Sequence, residues 1–391
     1  TSSDLIGGWL KPHRSAVRAP GRSAISLPPA GRSAMASESM AEAEPRRVIV
    51  GVDTHKDVHV AMAKDELGRA LGQMTIPASA KGYRALLAWS RELGTVQAFG
   101  VEGTGCYGAA LARYLRGERE VVIEVIRPNR STRRLRGKSD PVDAEAAASA
   151  VLSGEARATP KSGEGAVEMI RVLRVARTTA IRARTQAINA LHAVVVTSPS
   201  ELRERLGDLS GPRLVRTCAA FRPGALTGPT EATKTALRSL AKRSLALQQE
   251  VRALDEELER LAVKRCPTLL GIFGAGSDTA GALLLAAGDN PERVRSEAAF
   301  AKLCGVSPVE ASSGKVTCHR LNRGGNRQAN SALHRIVMVR LRWRHQATMD
   351  YVARRTAEGK SKREIVRCLK RYVAREVYGA LTEGQAPSAA S

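Results

Sequence analysis

Four carboxylates stand where they can act together: Asp53, Glu102, Asp140 and Asp143. Asp53 closes an apolar, largely β-branched run, Val48-Ile49-Val50-Gly51-Val52, whose composition predicts a buried strand. Glu102 closes a second apolar strand, predicted over 97–102. Asp140 and Asp143 are three residues apart at the start of a predicted helix, so both project from one face. Ser139 suits the N-cap and Pro141 the first turn. Four mutually repelling carboxylates are costly to gather unless a cation sits among them. Oxygen-only ligands select Mg²⁺ or Mn²⁺, and a two-metal site of that kind activates and orients groups around a phosphodiester. Each acid alone reads as well as a surface residue or, for Asp140, as a helix cap. The order of all four on suitable elements carries the inference.

A second centre is Ala311-Ser312-Ser313-Gly314-Lys315. A serine beside a glycine is commonly a turn. Here Lys315, His319, Arg320 and Arg323 crowd the same loop, Arg327 follows, and no acid occurs from Ala311 to Met349. A serine that attacks a phosphodiester must lose its proton, and the developing charge must be stabilised. Arginine, lysine and a metal supply both functions. No Ser-His-Asp spacing is visible, so protease or esterase chemistry is not supported.

The elements that must position these groups follow from pattern. Strands are predicted at 48–52, 58–63 and 69–76, then a helix at 79–93, a strand at 97–102, a helix at 107–116, a strand at 121–126 and a helix at 140–153. Three antiparallel strands followed by alternating helix and strand is the order of a ribonuclease-H-like α/β fold. Between its last strand and last helix lies a run with six basic residues, Arg127, Arg130, Arg133, Arg134, Arg136 and Lys138, and no acid. A charge run is often a solvated face; beside the acids it reads as a phosphate-contacting loop. Residues 164–195 are helical and basic. Residues 196–230, broken by Pro199, Gly211-Pro212, Pro223-Gly224 and Gly228-Pro229, read as an irregular connector or insertion. A helix over 231–265 carries Leu237, Leu240, Leu247, Val251, Leu254, Leu258 and Leu261 at strict 3–4 spacing, interrupted by Ser244, which is a coiled-coil seam. Its partner is either the 164–195 helix or a second subunit. After Pro267 a helical region begins, with a helix-hairpin-helix-like turn at Leu270–Gly276, able to offer backbone N–H groups to a phosphate. A tight helix connection explains that turn as well. Basic helices are predicted over 328–346 and 361–381. The division is therefore an extension (1–45), an α/β domain (46–158), a helical connector (159–265) and a C-terminal helical domain (266–385).

Composition narrows the partner. The formal net charge is +24 over 391 residues, which favours a polyanion, nucleic acid first and an anionic membrane second. No continuous apolar run reaches the length of a transmembrane helix. Aromatic residues are 3%, which argues against stacking platforms for single strands and toward duplex or structured RNA held through phosphates. The six cysteines are scattered with no C-x-x-C pair, so neither a zinc site nor a disulfide framework is expected, and a cytoplasmic location is. Residues 1–45 hold Gly, Pro, Ser and Arg with no apolar period and read as disordered. Their acid-poor composition has the look of a transit peptide, or of sequence upstream of a start at Met35 or Met40.

Three segments, Val50-Gly51-Val52-Asp53-Thr54-His55-Lys56-Asp57, Val101-Glu102-Gly103-Thr104-Gly105-Cys106-Tyr107 and Lys138-Ser139-Asp140-Pro141-Val142-Asp143-Ala144, resemble the motifs of the DEDD transposases of the insertion-sequence-110 family. Gly271-Ile272-Phe273-Gly274, Phe300–Pro308, Ser312-Ser313-Gly314 and Gly325-Asn326 are similar to that family's second domain. Departures are Gly103 where many relatives carry alanine, and Phe273 within the usual Gly-Ile-Gly turn. The resemblance implies a RuvC-like domain with Asp53, Glu102, Asp140 and Asp143 as Mg²⁺ ligands, a coiled-coil connection, and a helical domain whose serine links covalently to DNA. By the spacing from Pro308, that serine is Ser313, with Ser312 as the fallback. It further implies a structured noncoding guide RNA that pairs with target and donor DNA, and a homo-oligomer, dimer or tetramer, in which one subunit's acids meet another's serine.

Three other readings are open to the sequence. A RuvC-like junction nuclease would use the acids without a serine intermediate. An actin-like sugar kinase or ATPase also begins with a strand and an aspartate, but needs glycine-rich phosphate loops in a repeated second half, which are not visible. A non-catalytic, nucleic-acid-binding remnant of a mobile element would have no need of intact acids.

Overall fold

The alternation of β-branched and small residues over Arg47–Thr54 produces β1, buried along nearly its whole length because it is the middle strand of five. The structure, a computed structural model, describes residues 46–126, 137, 139–290 and 293–383. The extension 1–45 and the basic positions Arg127, Arg130, Arg133, Arg134, Arg136 and Lys138 lie outside the described residues. β2 (Val58–Asp65) pairs antiparallel to β1, and β3 (Ala70–Pro77) antiparallel to β2. β4 (Thr95–Glu102) lies parallel on the other side of β1, and β5 (Val122–Val125) parallel to β4. The sheet order is β3-β2-β1-β4-β5, a mixed α/β arrangement consistent with a ribonuclease-H-like fold.

The two-residue period of a strand sorts the side chains onto two faces. Val48, Val50, Val52, Phe99 and Val101 join one core with α1 (Ala80–Glu92) and α2 (Ala109–Gly117), through Leu86, Leu87, Leu111 and Leu115. Ile49, Ala98, Ile123 and Val125 face the other way and meet Ala147 and Val151 of α3 (Asp140–Leu152). Asp53 has the parity of Ile49, and Glu102 that of Ala98, so both acids belong to the face that α3 covers. That helix lies unusually close. A Cβ on Gly51 would stand 2.1 Å from the Ala144 carbonyl oxygen and 2.2 Å from the Ala148 amide, so only glycine admits α3 here. The Lys64 ammonium, buried on β2, reaches Glu145 Oε1 at 3.0 Å and Ser149 Oγ at 3.0 Å, which fixes the helix along its axis.

α4 (Ala166–Val196) and α7 (Pro229–Arg265) form a long antiparallel pair within the chain. Leu237, Ser244, Val251 and Leu258 are fully buried at seven-residue spacing, while Leu240, Leu247 and Leu254 are half-buried. The expectation of an irregular 196–230 does not hold. α5 (Ser200–Gly207) and α6 (Gly211–Ala219) are helices that close the end of the pair over a core of Leu191, Leu206, Leu214, Cys218 and Leu237.

The C-terminal region is helical. α8 (Pro267–Gly271), only five residues long, precedes α9 (Ser277–Ala287) and α10 (Glu297–Leu303). A short hairpin, β6 (Val309–Glu310) and β7 (His319–Arg320), comes next, then α11 (Arg327–Arg342), α12 (Gln346–Ala357) and α13 (Lys362–Glu383). The single helix expected over 328–346 ends at Arg342, and α12 was not anticipated; Arg344 turns the chain with φ +49°. Leu283, Leu333, Ile336, Val373 and Val377 share one core with Val167, Ile170 and Leu258 from the long pair. Asp278 locks this frame, accepting from Arg174 Nη1 at 2.5 Å, Arg177 Nη1 at 3.2 Å and Arg335 Nη1 at 2.5 Å. The sheet is tied to the same frame by Arg293 Nη2 on Glu124 Oε2 at 3.6 Å and by Asn290, whose amide meets the backbone at Pro160 and Ser162. No helix among the described residues is long and apolar enough to cross a membrane.

Candidate active site

Strand register places two of the acids. Val52 lies opposite Val101 in the parallel β1–β4 pair, so Asp53 and Glu102 are the next residues at adjoining strand tips. The Thr54 hydroxyl donates to the Glu102 carbonyl oxygen at 2.8 Å, continuing the connection past the ladder. Asp140 and Asp143 open α3, behind Ser139 at the N-cap, whose hydroxyl makes no capping hydrogen bond. Asp53 and Asp143 are buried, at 7% and 3% exposure, while half of the Asp140 side chain is open.

The carboxylates of Asp53 and Asp140 lie with the His55 imidazole in a group whose ligand atoms are all within 4.8 Å of one another. His55 Nε2 faces Asp53 Oδ2 at 3.2 Å and Asp140 Oδ1 at 3.3 Å. Asp143 acts on Asp53 through its charge, whereas the Glu102 carboxylate does not fall inside the group. Burial pushes the Asp53 carboxyl above its ordinary range. His55 opposes this, and the like charges of Asp143 and Asp140 reinforce it. The donor set fits a hard divalent ion: carboxylate oxygens dominate, and the charge crowding that burdens Asp53 is the cost a cation removes. His55 was not singled out from sequence as a site residue. Its signal was its place two residues beyond Asp53, where a strand end turns toward the same edge.

Ser313 sits at the far end of the β6–β7 hairpin. Its amide and carbonyl pair with those of Val316 at 3.1 Å each, leaving Gly314 and Lys315 as a two-residue turn. The φ of +56° at Gly314, with none positive at Lys315, follows the type II′ pattern, which wants glycine first. The two serines differ. Ser312 Oγ accepts from the Cys318 amide at 3.2 Å and faces its carbonyl at 3.5 Å, whereas the exposed Ser313 hydroxyl has no partner among the described residues. Lys315, Arg320, Arg323 and Arg327 are exposed, with no ion pair among the described residues. The strands β6 and β7 make no substantial contact with the strands of the sheet. The structure thus gathers Asp53, Asp140 and Asp143 with Glu102 on the adjoining tip, and carries Ser313 on the exposed hairpin of the C-terminal region.

Comparison with known families resolves the class. A DEDD-type family model of IS110 elements, described as a transposase, matches residues 50–198 and so spans all four acids. A second, described as the transposase IS116/IS110/IS902 family, matches residues 266–353 and spans the serine hairpin. Together the two cover more than half of the chain, in the order expected of one protein. The chain belongs to the IS110-family transposases. No curated protein matches it. As a DNA transposase it acts on phosphodiester bonds of DNA, and both its DEDD kinship and its acidic cluster with His55 point to use of a divalent metal. The transposase's net charge of +24 suits a nucleic-acid substrate.

Proposed function

We propose that this transposase cuts and rejoins DNA through a covalent link to Ser313, with Mg²⁺ or Mn²⁺ held by Asp53, Glu102, Asp140 and Asp143, and that a structured noncoding RNA from its own element directs it to element ends and target. On this reading 46–158 is the metal domain, 159–265 the connector and 266–385 the serine domain. The observation that carries the choice of nucleophile is the contrast between the two serines: Ser312 is committed to the Cys318 backbone, and Ser313 stands free at a glycine turn beside Lys315.

When bound, the ion supplies Lewis-acid stabilisation of charge on the phosphoryl oxygens. The Ser313 oxygen attacks phosphorus as its proton leaves to a base. The bond from phosphorus to the departing strand breaks, and that strand's oxygen takes up a proton to become a hydroxyl. Lys315 faces the charge that develops at the phosphate, while Arg320, Arg323 and Arg327 hold neighbouring phosphates. A hydroxyl from a second strand then reverses the step and frees the serine, exchanging strands with no net loss of phosphodiester bonds. On this reading the site assembles in trans, one subunit's Ser313 meeting another's acids in a dimer or tetramer, in keeping with the lack of substantial contact between β6–β7 and the strands of the sheet.

That same lack of contact supports a second reading, a metal-dependent junction nuclease that makes no use of serine. Covalent trapping decides between them. The protein, purified with its co-expressed RNA, is given Mg²⁺ and DNA spanning the element's ends, and a denaturing gel is read for a protein–DNA adduct. Serine recombination predicts an adduct that disappears in Ser313→Ala. Cleavage without an adduct in either protein establishes the nuclease, and an adduct that survives Ser313→Ala transfers the role to Ser312.

A further inference from the structure

Beneath the β6–β7 hairpin is a cavity of about 740 Å³. The loop Gly305–Pro308 and the pair Leu321-Asn322, which flank the hairpin on both sides, form one wall, and α12 and α13 form the other. Nothing in the chemistry proposed for the acids or Ser313 uses it.

Its lining is unusual for a structural void. Arg354, Arg355, Arg367, Lys370, Arg371 and Arg375 all face it. Among the described residues two acids offset them: Glu358 pairs with Arg355, and Glu297 with Arg371 and, at 3.8 Å, with Arg375. The cations crowd one another. Burial and then Arg367 push the Lys370 ammonium below its ordinary range, and burial and then Arg375 do the same to Arg371. An anion in the cavity relieves that crowding.

Two tyrosines stand among the cations. Tyr351 and Tyr372 meet edge to face, with centroids 5.2 Å apart and planes at 72°. Arg354 lies 5.4 Å over the Tyr351 ring, and Arg375 lies 5.9 Å over that of Tyr372. In a chain with 3% aromatic residues, a tyrosine pair inside a basic cavity is a concentrated resource. Rings and guanidinium planes together are what proteins use to stack an unpaired base while holding its phosphates. The volume lies well inside the range of about 300–1,000 Å³ typical of small-ligand pockets, and exceeds what a bare phosphate needs.

We propose that this cavity receives one unpaired nucleotide of the DNA strand engaged by the hairpin, its base against Tyr351 and Tyr372 and its flanking phosphates on Arg354, Arg367 and Arg375. DNA is the favoured source because Pro308 and Leu321-Asn322 belong at once to the cavity wall and to the roots of the hairpin, so a strand reaching Ser313 passes the mouth. That choice rests on the transposase reading; the nucleotide chemistry rests on the lining alone.

The test is a binding measurement on the full chain carrying Ser313→Ala, so success or failure of the serine mechanism does not touch it. Fluorescence anisotropy is read with a labelled single-stranded deoxyoligonucleotide of about ten nucleotides, within the usual range of single-strand sites. The comparison strands are one of equal length and charge built of abasic sites and an oligoribonucleotide of the same sequence. Tyr372→Ala is expected to weaken the base-bearing strand roughly tenfold and leave the abasic one unchanged. Tyr372→Phe keeps the ring and is expected to bind as the parent does, which separates stacking from misfolding. Arg367→Ala is expected to weaken both strands and lower the salt slope by about one. Equal losses for both strands in Tyr372→Ala, or no loss in any variant, overturn the proposal. Tighter binding of the ribonucleotide strand, lost in Tyr372→Ala, overturns the assignment to DNA and gives the cavity to an RNA.

Discussion

The acidic end of the sheet and the serine hairpin are built on opposite terms. Asp53 and Asp143 are buried, and α3 is set against β1 through a glycine and pinned by Lys64 on Glu145. The hairpin residues Ala311–Arg320 are all exposed, joined chiefly by backbone hydrogen bonds across a two-residue turn. Gathered carboxylates repel one another, so only a frame that cannot relax will hold them ready for a cation. A free hydroxyl carries no such penalty and gains from standing clear of its own domain. On the reading proposed above, the contrast is a division of labour: rigidity where charge must be concentrated, exposure where a group is to meet a partner.

The sharpest way to break this contrast is to remove each group in turn. Asp53→Asn is expected to lower strand cleavage on the order of a thousandfold with DNA binding retained, read by cleavage of labelled element ends. Ser313→Ala is expected to abolish the covalent adduct while leaving the melting temperature unchanged. Loss of DNA binding in both would mean that the two regions share a structural role and that the division is false.

Next come the frames. Gly51→Ala drives a methyl into the backbone of α3, so about 1–3 kcal/mol of stability and most divalent-metal affinity are expected to go together, by denaturant melts and calorimetry with Mn²⁺. Asp278→Asn tests the frame behind the hairpin. Burial alone would raise the Asp278 carboxyl, but Arg174, Arg335 and Arg177 overcome it and hold it below the ordinary aspartate value of 3.8. The folded state therefore gains stability above the unfolded value and loses it as pH falls through the folded one. The variant is expected to cost about 2 kcal/mol near neutrality, with the deficit shrinking below pH 3.8, in urea melts across pH. An unchanged deficit at low pH would rule out the ion-pair origin. The smallest effect belongs to Ser312→Ala, which removes the hydroxyl bridging to Cys318; a loss of adduct formation of about threefold is expected, as one modest hydrogen bond implies.

Much of the sheet was legible because its strands are short apolar runs with acids or glycines at their ends, and Glu102 and Asp140 fell at the boundaries expected of them. The long pair was legible through the seven-residue spacing from Leu237 to Leu258. The short helices α5 and α6 were not, because their punctuation misleads. Pro199 and Gly211-Pro212 read as breaks, yet Pro199 is the N-cap of α5, and Pro212 lies in the first turn of α6, where its missing N–H does no harm. α12 escaped because the turn before it depends on Arg344 taking a left-handed conformation that no side chain announces. The distinction between Ser312 and Ser313 was beyond the sequence too. It arises from hairpin register, which sets one hydroxyl against Cys318 and turns the other outward.

The contact at Gly51 has a consequence for heredity. Copies of a mobile element accumulate substitutions once they stop moving, and a reader checks them for the acids. Here a single methyl two residues before Asp53 would meet the backbone of α3 at 2.1 Å, a defect that an inspection of the four carboxylates alone would miss.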